Sequence, residues 1–305
     1  MAKIQLLDQK TIDNIAAGEV IERPASVVKE LVENAVDAKA NAVTVEIKDG
    51  GMTLIRVTDN GIGIPKDQVK TAFLRHATSK IRSVEDLLSV SSLGFRGEAL
   101  SSISAVAQVE LVTKTAESFS GVSYKIYGGE EEAFDDIGAP DGTTFLVKNL
   151  FYNTPARRKF LKSATTEAGY VEQMMVHIAL SHPEISFKFI HNNKNKIYTS
   201  GNGKVKDIIY HIYGRDVAGA LIPLEAQNED VKVTGFVAKP YVSRGNAENI
   251  ADAINQLNEF VFAEEKPAKD KELADWFHIC GTSFRMVLPD EMAGEDDESP
   301  FEIYT

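Results

Sequence analysis

The chain has one cysteine, Cys280, one tryptophan, Trp276, and no run of 18 or more apolar residues. A single thiol excludes an intrachain disulfide and any cysteine-based metal cluster. Without a long apolar run, no segment is expected to cross a membrane. The start, MAKIQLLDQKT, has no apolar signal region, so a cytoplasmic location is expected. Two common phosphate-binding signatures are missing as well. There is no G-x-x-x-x-G-K-[ST] loop and no G-x-G-x-x-G behind a strand. Any nucleotide site must be built another way.

What is present is the composition of an ordinary globular protein, with 43% hydrophobic and 26% charged residues. A length of 305 residues allows two domains, each with its own core. The net charge of −12 is unevenly placed. Residues 247–305 hold 15 acidic and 4 basic side chains, a net of −11, so residues 1–246 are nearly neutral. That break marks two segments of different character. The neutral part carries a basic cluster, Arg157, Arg158, Lys159 and Lys162, able to meet a polyanion locally.

The stretch PASVVKELVENAVDA, residues 24–38, reads as the organising helix. Pro24 suits a first turn and Ser26 can serve the helix start. Val27, Val28, Leu31, Val32, Ala35 and Val36 fill one arc of the wheel. Lys29, Glu33 and Asp37 lie on the opposite arc and are expected to be solvated. Glu30 and Asn34 share the border of the apolar arc, where polar groups need partners. Before this helix, residues 8–17 read as a short helix ending at Gly18. After it, 42–48 and 53–59 alternate like strands around a Gly50–Gly51 turn. Residues 66–76 read as helix, and Ala77–Gly97 as a long loop of the kind that is usually functional. A helix is expected over 98–106 and strands near 108–114, 121–127 and 143–149. A further helix is expected near 165–180, then a hairpin over 186–200. A second segment starts near Lys204, with a helix and a strand over 231–240.

Three pieces suggest a nucleotide site. Glu30-x-x-x-Asn34 offers an amide oxygen, a hard ligand suited to Mg²⁺, and a carboxylate one turn away that can orient or deprotonate water. Asp59-x-Gly61-x-Gly63 ends a strand with an acceptor for the exocyclic amine of adenine and glycines that let backbone approach a flat ring. Gly94-Phe95-Arg96-Gly97-Glu98-Ala99-Leu100 opens a helix whose free N–H groups attract phosphate. Singly, each has a plainer reading: a surface pair, a turn and a helix cap.

In their order and spacing these pieces resemble the GHKL ATPases. GEVIERPASVVKELVENAVDA, DNGIGI, RHATSKI, LGFRGEAL and GTTFLVKNLFYNTPARRKFL resemble the MutL branch, which acts in DNA mismatch repair. The resemblance covers about residues 4–246. It implies an α/β fold, a two-layer sandwich: a GHKL ATPase domain over 1–203, then a ribosomal S5-like domain from 204 to 246, cut short. It implies Glu30 as general base, Asn34 as Mg²⁺ ligand, Asp59 as the adenine contact with Gly63 beside it, and Thr143 supporting the base pocket. Thr78, Ser79 and Lys80 match lid residues near the nucleotide, and Gly94 to Leu100 match the phosphate-binding lid segment. It further implies ATP and Mg²⁺ as cofactors, ATP-driven self-association and non-specific DNA binding, for which Arg157, Arg158, Lys159 and Lys162 are candidates. A MutS-type mismatch recognition protein is the implied partner, in the bacterial cytoplasm.

After SRGN (243–246) the family's next strand is not found, nor an assignable lysine for the γ-phosphate. Residues 247–305 instead resemble a short part of a tailed-phage portal protein. The alternative expectation is therefore a hydrolysis-deficient nucleotide-binding remnant, or a chimera without function.

Overall fold

The computed structural model describes residues 17–18, 20–80, 97–227, 232–239, 242, 276–279 and 282–285. The chain divides into two compact units, Met1–Ile212 and Tyr213–Thr305.

The first unit is built on one eight-stranded sheet. Its strands are β1 (Ala42–Lys48), β2 (Leu54–Asp59), β3 (Gln108–Lys114), β4 (Gly121–Tyr127), β5 (Glu130–Ile137), β6 (Gly142–Lys148), β7 (Ser186–His191) and β8 (Lys194–Tyr198). They lie in the order β5-β4-β3-β6-β2-β1-β7-β8. All pairs are antiparallel except β1 with β7, which is parallel, so the sheet is mixed. With its helices this is the expected α/β architecture.

One sheet face is apolar. Val43, Val45 and Ile47 of β1, Ile55 and Val57 of β2, and Phe145 and Val147 of β6 are all buried. Strand alternation puts them on one side. The other side carries cross-strand polar pairs, including Arg56 with Glu46 and Lys148 with Glu110 at 3.3 Å. Three helices pack on the sheet: α1 (Pro24–Asp37), α3 (Ala99–Val106) and α5 (Ala164–Ser181), with α1 also against α5. Val27, Val28, Leu31 and Val32 of α1 are buried, each burial stabilising by about 1.5–3 kcal/mol. Arg23, not Ser26, occupies the N-cap of α1, and no side chain caps it.

Several expectations need correction. Glu33 is only 9% exposed and is paired with Lys29. Asp37 is partly buried and paired with Lys80. Glu33 and Asp37 on the polar arc of α1 are therefore covered rather than solvated, whereas Lys29 is exposed as expected. Of the helix expected over 8–17, residues 8–16 lie outside the described residues; Ala17, Gly18 and Val20 are helical, so helix is found past the expected end. Residues 66–76 hold a short 3₁₀ turn, Lys66–Gln68, and one turn of helix, α2 (Val69–Ala72). Elements that had not been expected include β5, the short basic helix α4 (Pro155–Phe160), and β9 (Leu221–Gln227) in the second unit.

Helix α6 (Val205–Tyr213) closes the first unit; the division at 212/213 falls at its end, nine residues past the boundary read from the sequence. In the second unit a short helix, α7 (Arg215–Gly219), precedes β9, which pairs antiparallel with β10 (Lys232–Ala238). Two short strands, β11 (Trp276–Ile279) and β12 (Thr282–Arg285), also pair. Among the described residues no helix is long and apolar enough to cross a membrane.

Candidate functional site

Asp59 ends β2 and is 8% exposed. Its backbone lies opposite Val43 of β1 on one side and Thr143 of β6 on the other. The Gly61 N–H donates to Asp59 Oδ1 at 2.8 Å, and the Thr143 backbone also donates to the carboxylate. Burial pushes the Asp59 carboxyl up from its ordinary value, and these two hydrogen bonds oppose the shift. Asp59 thus presents a buried carboxylate at the strand end, with two backbone N–H groups already donating to it.

The loop after Asp59 is tied to its surroundings on both sides. The Ile62 N–H donates to the Ala38 carbonyl at 3.0 Å, at the C-terminal end of α1. The Ile64 N–H donates to Thr113 Oγ1 at 2.8 Å. Thr113 Oγ1 in turn lies 3.1 Å from Thr143 Oγ1 and donates to the Gly142 carbonyl at 3.1 Å. Thr113 is fully buried and fixes loop, β3 and β6 in one network. Gly63 has φ +72°, and a Cβ there would strike the Lys114 carbonyl. Only glycine fits both the backbone angle and the space.

On α1, Asn34 and Glu30 are half-buried on the same border. The Lys80 ammonium donates to Asn34 Oδ1 at 3.1 Å and forms an ion pair with Asp37. Thr78 is half-buried, and its Oγ1 accepts the Lys80 N–H at 3.2 Å, while Ser79 is exposed. The segment from 76 to 80 is thus brought onto α1.

Gly94, Phe95 and Arg96 lie outside the described residues. The remainder of that motif is placed. Gly97 has φ +63°, and a Cβ there would stand 2.7 Å from the Ala77 carbonyl oxygen. Glu98 Oε1 lies 3.2 Å from His76 Nδ1. The two ends of the long loop therefore meet. Glu98 caps α3, its carbonyl accepting the Ser102 N–H at 2.9 Å, and Ala99 and Leu100 form the first, half-buried turn. The α1 border, the Asp59 loop and the start of α3 all adjoin the 76–80 segment or α1.

The basic cluster is split. Arg158, Lys159 and Lys162 are exposed, but Arg157 turns inward with its guanidinium against Gly18 and a buried Nη1. Sequence reasoning missed Thr113 and Asp37. A lone threonine inside a strand and an acid on a polar arc carry no signal of their own.

Residues 21–138 match the family described as histidine kinase-, DNA gyrase B- and HSP90-like ATPases. The DNA mismatch repair protein MutL of Agathobacter rectalis is 63% identical over 246 residues, covering 81% of this chain and 38% of that protein. The MutL of Caldanaerobacter subterraneus subsp. tengcongensis is 50% identical over 246 residues, covering 81% and 42%. The chain thus spans about two fifths of the length of these relatives. Among solved structures, the Aquifex aeolicus MutL ATPase domain complexed with ADP is similar at TM-score 0.59 and 27% identity, covering 81% of this chain and 100% of that one. A variant of that Aquifex domain carrying a single lysine-to-asparagine mutation is 31% identical at TM-score 0.55, covering 71% and 76%. On this sequence identity and this fold, the chain belongs to the MutL family of DNA mismatch repair proteins.

Proposed function

We propose that the chain binds ATP with Mg²⁺, hydrolyses it, and serves as the nucleotide switch of DNA mismatch repair. The observation that carries this reading is Asp59, a buried carboxylate at a strand end held open by the Gly61 N–H. Its second oxygen can accept the exocyclic amine of adenine, and Gly63 lets the backbone approach the ring. Thr143, tied to Thr113, fixes the pocket wall.

The residues present fit a hard divalent cation. Asn34 Oδ1 already accepts a cationic donor, the Lys80 ammonium, which stands in for a metal. Asn34 would hold Mg²⁺, whose charge neutralises the phosphates. Glu30, one turn earlier on the same border, would orient and deprotonate the attacking water. The start of α3 would face the phosphates with its free N–H groups. Because the two ends of the 76–100 segment meet, closure over a nucleotide can be passed to the rest of the domain.

Arg158, Lys159 and Lys162 are exposed and would contact DNA phosphates without reading sequence. Self-association on ATP binding, a MutS-type partner and a bacterial cytoplasmic setting follow from the family. The S5-like second domain over 204–246 is proposed on the same ground. The absence of an assignable γ-phosphate lysine points to slow hydrolysis, reduced by about 10²-fold or more.

Phosphate release from Mg·ATP tests the proposal. Wild-type protein should release phosphate. Glu30→Gln should lose at least about a hundredfold of that rate while still binding ADP. Binding without release in the wild type would remove the hydrolytic half of the proposal and leave the binding half.

A further inference from the structure

We infer that Asp37 is a positioning residue for cation entry, acting through Lys80. The inference rests on the nucleotide reading above. Asp37 stands one turn after Asn34 on α1, and Lys80 bridges the two. The Lys80 and Asp37 side chains are only 19% and 15% exposed, so the pair is shielded from solvent. Shielding strengthens a charge-assisted hydrogen bond. Of the other two acids on α1, Glu33 is engaged with Lys29 at 2.9 Å, and Glu30 stands one turn before Asn34 on the same border.

The consequence is a competition at one oxygen. A divalent cation ligates an amide oxygen at about 2.1 Å. The ammonium at 3.1 Å from the same atom occupies that approach, and the two positive charges repel. Asp37 therefore sets how firmly Lys80 holds the Asn34 oxygen. Metal-bound nucleotide must displace Lys80, whereas metal-free nucleotide need not. Once displaced, Lys80 stays tethered through the 76–80 segment, whose Thr78 Oγ1 accepts its N–H. Cation entry and movement of that segment are thus one event.

The readout is the ratio of ADP dissociation constants measured in EDTA and in Mg²⁺, by calorimetry on the whole chain. Asp37→Asn should raise this ratio by about tenfold, the worth of one charge-assisted contact. Lys80→Gln should raise it as well, because the competing cation is gone. Asp37→Glu, which keeps the charge, should restore a near wild-type ratio and serves where Asp37→Asn fails to fold. An unchanged or smaller ratio in either Asp37→Asn or Lys80→Gln, with ADP still bound in EDTA, overturns the inference. Failure of the wild type to bind ADP in either buffer would instead overturn the nucleotide reading and this inference with it.

Discussion

Asp59 of β2 lies directly opposite Thr143 of β6, and the Thr143 backbone donates to its carboxylate. The carboxylate is nevertheless destabilised by burial, its pKa standing above the ordinary 3.8. Such an acid binds its proton more tightly folded than unfolded. The fold therefore gains from it at low pH and loses that gain as pH rises through the raised value. Asp59→Asn keeps the acceptor for the Gly61 N–H and removes the buried charge. Its unfolding temperature should equal or exceed that of the wild type at neutral pH, with the difference shrinking toward pH 3. Scanning calorimetry across pH checks this; a variant less stable at pH 7 would show that the charge stabilises.

Gly63→Ala should cost about 1–3 kcal/mol, because φ +72° and the Lys114 carbonyl both oppose a Cβ. For a domain of this size that lowers the melting temperature by roughly 2–4 °C per kcal/mol. Nucleotide affinity should fall with it, since the loop must shift. A melting curve matching wild type would mean the loop relaxes freely.

Thr113→Val leaves the Ile64 N–H and the Thr143 hydroxyl without their shared partner. Stranding buried polar groups costs about 1–3 kcal/mol. Denaturant unfolding should show this as a lower midpoint at unchanged slope. Thr113→Ser, which keeps the hydroxyl, should recover most of the loss.

The four basic residues near α4 should separate by phenotype. Neutralising Arg158, Lys159 or Lys162 should weaken DNA binding with little effect on stability. Each lost phosphate contact should reduce the salt slope of binding by roughly 0.9. Arg157→Ala should instead destabilise the fold, because its guanidinium packs against Gly18. Salt-titrated DNA binding with parallel melting curves distinguishes the two classes.

These contrasts show which parts of the molecule the amino-acid pattern carries. Helix α1 was legible because Val27, Val28, Leu31 and Val32 repeat at its period, and the central strands because they alternate. Strand β5 was not. Its sequence, EEEAFDDI, forms an edge whose acids are met by Lys70 and Lys66, at 2.7 Å from Glu131 and 2.6 Å from Asp136. The strand pairs with β4 just before it, across Gly128 and Gly129, but its run of acids carries no alternating apolar pattern, and the lysines that meet them lie far back in the chain. Strand β9 was hidden by Pro223. The burial of Glu33 and Asp37 was equally invisible, since a wheel shows the polar arc but not what covers it. The three pieces of the site could be read singly. The ties between them, Ile62 to Ala38 and Ile64 to Thr113, are contacts of the folded chain and leave no mark on spacing.

The most direct test is calorimetric titration of ADP, with Mg²⁺ present, into the wild type and Asp59→Ala. Saturable one-site binding by the wild type, weakened by at least about a hundredfold in a variant that still melts cooperatively, is the predicted result. Equal affinity in the two proteins, or no binding by a folded wild type, would contradict the placing of adenine on Asp59.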